Sequence, residues 1–158
     1  NRTLGALISE QLGWRDRRDV MGYLLGGSGL FDLRRAKQAG RHVRVGLATD
    51  VGAGTTLSML RTMGAAYEVT QLGGGNLSAP LALYLATRGA AQALYLEDKI
   101  GSIVVGVEAD LVVLDLKSTP AIEFRMEHCE SLAEALFVQM TMADDRAVRD
   151  RWIAGRSS

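Results

Sequence analysis

Residues 43–56 read VRVGLATDVGAGTT. A run of β pattern, Val43 to Ala48, leads into a single carboxylate, Asp50, and then into a turn carrying Gly52 and Gly54. A carboxylate in that place has two uses. It can accept backbone N–H groups in an Asx-turn or at a helix cap, the commoner use. It can also be one ligand of a metal ion, which needs further ligands from elsewhere: four in a structural zinc site, three plus water in a catalytic one. The sequence holds two histidines and one cysteine. His42 lies at the other end of the same strand pattern, roughly 25 Å from Asp50 at ~3.3 Å per residue, too far to share an ion with it. His128 adjoins Cys129 in a polar stretch and reads as a surface residue. One cysteine excludes the zinc deaminases built on C-x-x-C, and neither histidine has a natural partner for a Ser–His–Asp arrangement. The GGSG of residues 26–29 lacks the spacing of a phosphate loop and reads as a plain turn. The residues alone therefore give one candidate metal carboxylate on an α/β framework.

What must position Asp50 is a chain of 158 residues, 47% hydrophobic and 23% charged, a globular composition. Eighteen basic residues balance eighteen acidic ones, so charge offers no case for nucleic acid or an anionic membrane as partner. No apolar run approaches the ~20 residues of a membrane span. Cys129 has no internal partner for a disulfide, so a cytoplasmic location is expected. The Asn1-Arg2-Thr3 glycosylation pattern reads as chance. Because the chain opens on Asn1 and its first twenty-odd residues lead poorly into the remainder, it is read as part of a longer polypeptide.

Periodicity supplies the elements. Leu4, Leu7, Ile8 and Leu12 share one helical face, and Leu30 to Ala39 reads as a short helix stopped by Gly40. After the strand at 43–48, a helix is expected from about Thr56 to Leu72, with Leu57, Leu60, Gly64, Tyr67 and Gln71 on one stripe and Met59 and Met63 as core filler. Ser78 and Pro80 start the next helix, which is expected to reach Arg88, and a short helical piece covers residues 89–94. Beyond residue 100 the pattern turns strand-rich, with Leu111 to Leu114 as a buried strand. Ser131 and Glu134 form a capping box for a helix through LAEALFVQMTM, and AVRDRWIAGR reads as a strand entering a turn. The expected organisation is an unplaced segment at 1–23, terminal β/α units at 24–99, and a portion at 100–158 with small β-sandwich strands and a capped helix.

Several stretches together resemble the carboxyl-terminal part of the guanine deaminases, in the amidohydrolase superfamily. They include GSGLFDLRRA (28–37), VGLATDVGAGTTLSML (45–60), LSAPLALYLATRGAAQAL (77–94), IGSIVVGVEADLVVLD (100–115) and LFVQMTMADDRAVRDRWIAGR (136–156). The resemblance implies an α/β fold, the closing part of a (β/α)8 metallo-hydrolase barrel plus part of a small β-sandwich. It also implies a zinc-dependent deaminase taking a small-molecule purine, active as a homodimer, with neither nucleic acid nor membrane as partner. Asp50 matches the family's aspartate after the eighth strand, a catalytic residue and metal ligand that orients the attacking water and accepts its proton. The family's H-x-H and its histidines after strands five and six have no match here, and neither has its His-Cys-Pro segment. Val107 stands where a lysine is usual. The 158 residues by themselves are therefore expected to be inactive. Two alternatives stand beside this reading: a related amidohydrolase acting on another amino-substituted ring, and a non-catalytic truncated or oligomerisation fragment.

Overall fold

Ser58 starts the first helix of the structure, a computed structural model that describes residues 44–51 and 54–157. These fall in one compact unit that runs from Arg44 to Ser158. The helices expected at 4–12 and 30–39, the GGSG turn, the segment 1–23, His42 and Gly52 lie outside the described residues.

Helix α1 spans Met59–Leu72 rather than beginning at Thr56. The Thr56 hydroxyl accepts the Ser58 N–H at 3.0 Å, which holds Ser58 in the extended conformation of a cap while its own oxygen accepts from Arg61 N. Leu57 thus precedes the helix and is 77% exposed; of the expected stripe Leu60 and Gly64 are buried, as is Met63, expected as core filler. Helix α2 (Ala79–Ala86) has Ser78 as its cap and a proline in its first turn. It stops short of Arg88 because Thr87 leaves helical geometry (φ −123°, ψ −95°), and α3 resumes at Arg88–Ala93.

The strand-rich expectation beyond residue 100 hid a helix. Helix α4 occupies Pro120–Met126, with the Thr119 side chain accepting from Ile122 N. The Thr-Pro pair is an N-cap followed by a first-turn proline whose missing N–H costs nothing. Helix α5 (Leu132–Met142) follows from Ser131, as its capping box requires. Ser131 Oγ accepts from Glu134 N at 3.2 Å, and the Glu134 carboxylate reaches back to the Glu130 N–H at 2.8 Å.

Three short strands form an antiparallel sheet in the order β1 (Leu111–Leu114), β2 (Val148–Ile153), β3 (Arg156–Ser157). Leu111 pairs with Trp152 and Leu114 with Val148, with a shift in register after Val113. Ala154 and Gly155 close the β2–β3 hairpin, both at positive φ (50° and 77°), the hand that matches strand twist. The expected burial of β1 is not met: Leu111, Val113 and Leu114 are half-buried and Val112 is 60% exposed, since alternate side chains of a strand face opposite sides of the sheet. The expected strand at 43–48 is not formed among the described residues. Residues 44–48 belong to no strand or helix; among the described residues their backbone bond to the helices runs from Leu47 N to the Leu85 carbonyl at 2.8 Å.

Helix α5 is the centre of the packing, in contact with α1, α2 and α4. Its Val138 and Met140 are each 2% exposed and meet a core that includes Leu60, Ala82, Leu85 and Ile122. Tyr67 and Phe137 add an edge-to-face ring pair with centroids 5.2 Å apart. The crossing is set by Gly64, where an added Cβ would lie 2.6 Å from the Met140 carbonyl oxygen. Gly64→Ala gains about 1 kcal/mol of helix propensity but overpacks at a cost of about 1–3 kcal/mol. Because the obstacle is backbone, the upper end applies. We expect a net loss of about 2 kcal/mol, read from the denaturant midpoint; a variant as stable as the parent would refute the crossing.

Candidate functional site: the Asp50 turn

The segment at 44–48 delivers Asp50 to a tight turn. Asp50 adopts φ 52°, a left-handed conformation that aspartate tolerates better than most residues. The Gly54 N–H donates to the Asp50 carbonyl at 2.6 Å. A Cβ on Gly54 would run into the Thr49 carbonyl oxygen, so the turn closes only around glycine.

This geometry separates the two uses open to the carboxylate. The Asp50 carbonyl closes the turn, and Ser58 caps the helix beyond it. Among the described residues the carboxylate accepts no hydrogen bond, and the residue is exposed. It is therefore available to a ligand or a proton.

Behind Asp50, small residues let the segment sit close on α3. A Cβ on Gly46 would lie 2.5 Å from the Ala90 Cα, and one on Gly89 would lie 3.2 Å from the Val45 carbonyl. The segment's start is held by Arg44, whose guanidinium donates to the Gln92 carbonyl at 3.0 Å and to Glu97 Oε1 at 2.7 Å. The same group lies 4.7 Å over the Tyr95 ring, a cation–π placement. Arg88 in turn donates to the Glu97 carbonyl. This network had no signal in the sequence, because the partners of Arg44 lie 48 to 53 residues away.

No group of three His, Cys, Asp or Glu side chains that could hold a metal ion occurs among the described residues. His128 does not join Asp50: it is exposed, with Nδ1 2.9 Å from the Phe124 carbonyl and its ring against Phe124. Cys129 Sγ donates to the Arg125 carbonyl at 3.5 Å. The described residues thus do not fit a zinc ion by themselves; Asp50 offers one ligand where a catalytic site takes three. Downstream of the turn, Thr55 and Thr56 line an open cleft of about 550 Å³ with Arg61, Glu68, Asp144 and Arg146. Its charges balance, and Arg146 is engaged by both Asp144 carboxylate oxygens (2.9 and 2.8 Å).

Residues 19–155 match the amidohydrolase family, and the α/β chain with its small antiparallel sheet belongs to that family. Within it, the chain is similar to guanine deaminases. It is 48% identical over 130 residues to the guanine deaminase of Escherichia coli strain K12, an alignment covering 82% of this chain and 29% of that protein. It is 38% identical to a probable guanine deaminase of Deinococcus radiodurans, over 82% of this chain and 30% of that one. The solved E. coli guanine deaminase matches 87% of this chain and 32% of its own, with a TM-score of 0.79 and 47% identity. The chain therefore spans less than a third of the length of these relatives.

The Glu97 carboxyl is held below its ordinary value of 4.5, first by a hydrogen bond from its own backbone N–H and then, against some desolvation, by Arg44. A carboxyl depressed in the folded state adds stability above its unfolded pKa and loses it as pH falls through the folded one. The contribution should be constant above about pH 5 and fade below 4.5. We expect Glu97→Gln to lower the Tm at pH 7, with the difference from the parent narrowing as pH falls below 4.5. Parallel melting curves across that range would contradict it.

Proposed function

We propose that this chain is the carboxyl-terminal portion of a guanine deaminase, an enzyme that hydrolyses guanine to xanthine and ammonia. In this reading the segment at 44–48 is the last strand of a (β/α)8 barrel and β1–β3 are part of a small β-sandwich. The complete enzyme would be a cytoplasmic homodimer. The likeness to guanine deaminases, in sequence and in fold together, carries the proposal, and the unengaged Asp50 carboxylate on its glycine-closed turn supports it.

The reaction adds the oxygen of water to the purine carbon that bears the amino group and breaks that carbon–nitrogen bond. A proton must leave the attacking water, and the departing amine must gain one. Asp50 is suited to both transfers as an exposed carboxylate that no backbone group engages among the described residues. Its backbone is fixed by the Gly54 N–H, so the group is presented without a large ordering cost. Asp50 would be this chain's ligand to the zinc ion that the likeness to the family implies, and such an ion would lower the pKa of the attacking water.

Two outcomes are expected. The 158 residues alone, even with added zinc, should release no ammonia from guanine above a zinc-only blank, since one carboxylate is too few ligands. In the full-length polypeptide, Asp50→Asn keeps shape and removes the charge and the proton acceptor. We expect kcat for guanine to fall by about 100-fold or more with Tm nearly unchanged. Normal turnover with a lowered Tm would return Asp50 to the role of a turn residue.

A further inference from the structure

Among the described residues, three contacts besides the seat of Gly89 on Val45 join the segment that presents Asp50 to its neighbours, and all three lie on its amino-terminal side. The first is Leu47 N to the Leu85 carbonyl at 2.8 Å. The second is the close seat of Gly46 on Ala90, where an added Cβ would lie 2.5 Å from the Ala90 Cα. The third is the Arg44 side chain. The first two are backbone contacts, which hold the middle of the segment. Arg44 holds its start: Nη1 donates to both a carbonyl and a carboxylate while the guanidinium lies over an aromatic face. A lysine ammonium could reach the two oxygens but lacks the planar group that stacks on the ring, so it reproduces this placement only in part.

The partners of Arg44 are themselves fixed. Gln92 lies in α3, and its side-chain oxygen accepts from the Tyr84 hydroxyl at 2.6 Å. Glu97 is tied back through its carbonyl to Arg88, at the start of α3. Arg44 therefore connects the strand to a braced corner rather than to a free surface side chain. Only five residues separate Arg44 from Asp50, so a shift at the start of the segment has little chain in which to dissipate before the Asp50 turn.

We propose that Arg44 is a positioning residue for Asp50: its clamp on Gln92, Tyr95 and Glu97 sets the axial placement of the strand and so the point at which the carboxylate is presented. This deepens the guanine deaminase reading and rests on it for the catalytic consequence, though not for the mechanical one. Arg44 acts through the strand and touches no substrate. A misplacement of about 1 Å can cost on the order of 100-fold in rate, whereas removing a half-exposed ion pair changes global stability little.

The test uses the full-length polypeptide with Arg44→Ala and Arg44→Lys, and with Glu97→Gln as a milder variant should Arg44→Ala disturb folding. Amide hydrogen exchange over residues 45–56 reports the segment, and guanine turnover reports the chemistry. We expect exchange in the segment to speed up by about tenfold or more in Arg44→Ala, with kcat down by about 10- to 100-fold, KM within about twofold and Tm within a few degrees. Arg44→Lys should recover only part of the loss, and Glu97→Gln should move in the same direction by less. Unchanged exchange across 45–50, or normal kcat beside accelerated exchange, would overturn the proposal. A wild-type protein inert toward guanine would refute the functional reading instead, and the exchange measurements would still decide whether Arg44 holds the segment.

Discussion

Two helices can approach closely only where side chains leave room, and the crossing of α1 and α5 leaves room for none. The Met140 carbonyl of α5 comes up to the Gly64 position of α1. That approach brings Leu60 and Met63 against Val138 and Met140 and sets Tyr67 against Phe137. It also fixes α1, whose capped start at Ser58 comes shortly after the Asp50 turn. On its other sides α5 packs α2 and α4. The helix pair α2–α3 in turn carries the seat for residues 44–47. A backbone-to-backbone contact in the helical layer is thus two steps removed from a carboxylate at the end of that segment.

The sequence announced those features that depend on neighbours a few residues away. The capping box at Ser131 and Glu134, the Ser78–Pro80 start, the strand at 111–114 and the strand that enters a turn in AVRDRWIAGR all arise from local chemistry, and the structure contains them. Met63 as core filler also needed only the helical period. Features that depend on partners distant in sequence were not legible. Helix α4 is short and sits in a β-branched neighbourhood, so its Thr119–Pro120 start was overshadowed by the strand pattern. The strand expected at 43–48 is not formed among the described residues, because pairing belongs to neighbours in space and none of the described residues supplies one. Arg44 falls in the same category, since its partners lie 48 to 53 residues away.

For Asp50 the division is sharper. That a carboxylate stands at the end of an extended run before glycines is a local fact, visible in the sequence. That the main-chain carbonyl closes the turn and leaves the carboxylate unengaged among the described residues is visible only in three dimensions. Local reasoning gave the turn its aspartate for the common purpose, hydrogen bonding to nearby N–H groups. The structure assigns that work to the Asp50 main-chain carbonyl and to Ser58, and so removes the ordinary reason for an acid there.

The left-handed backbone at Asp50 also governs how a saturation scan of this position would look. For an L-residue with a Cβ, that conformation carries a conformational penalty of about 1–2 kcal/mol, which asparagine and aspartate relieve and β-branched residues aggravate. Valine, isoleucine and threonine would therefore score badly at position 50 in any selection that senses folding, whatever the chemistry requires. Glycine would fit the backbone while losing the carboxylate, and glutamate would keep the charge while losing the fit. The apparent stringency of the site would be the product of two filters, one for handedness and one for charge, and the ranking of glycine against glutamate would reveal which of them is the narrower.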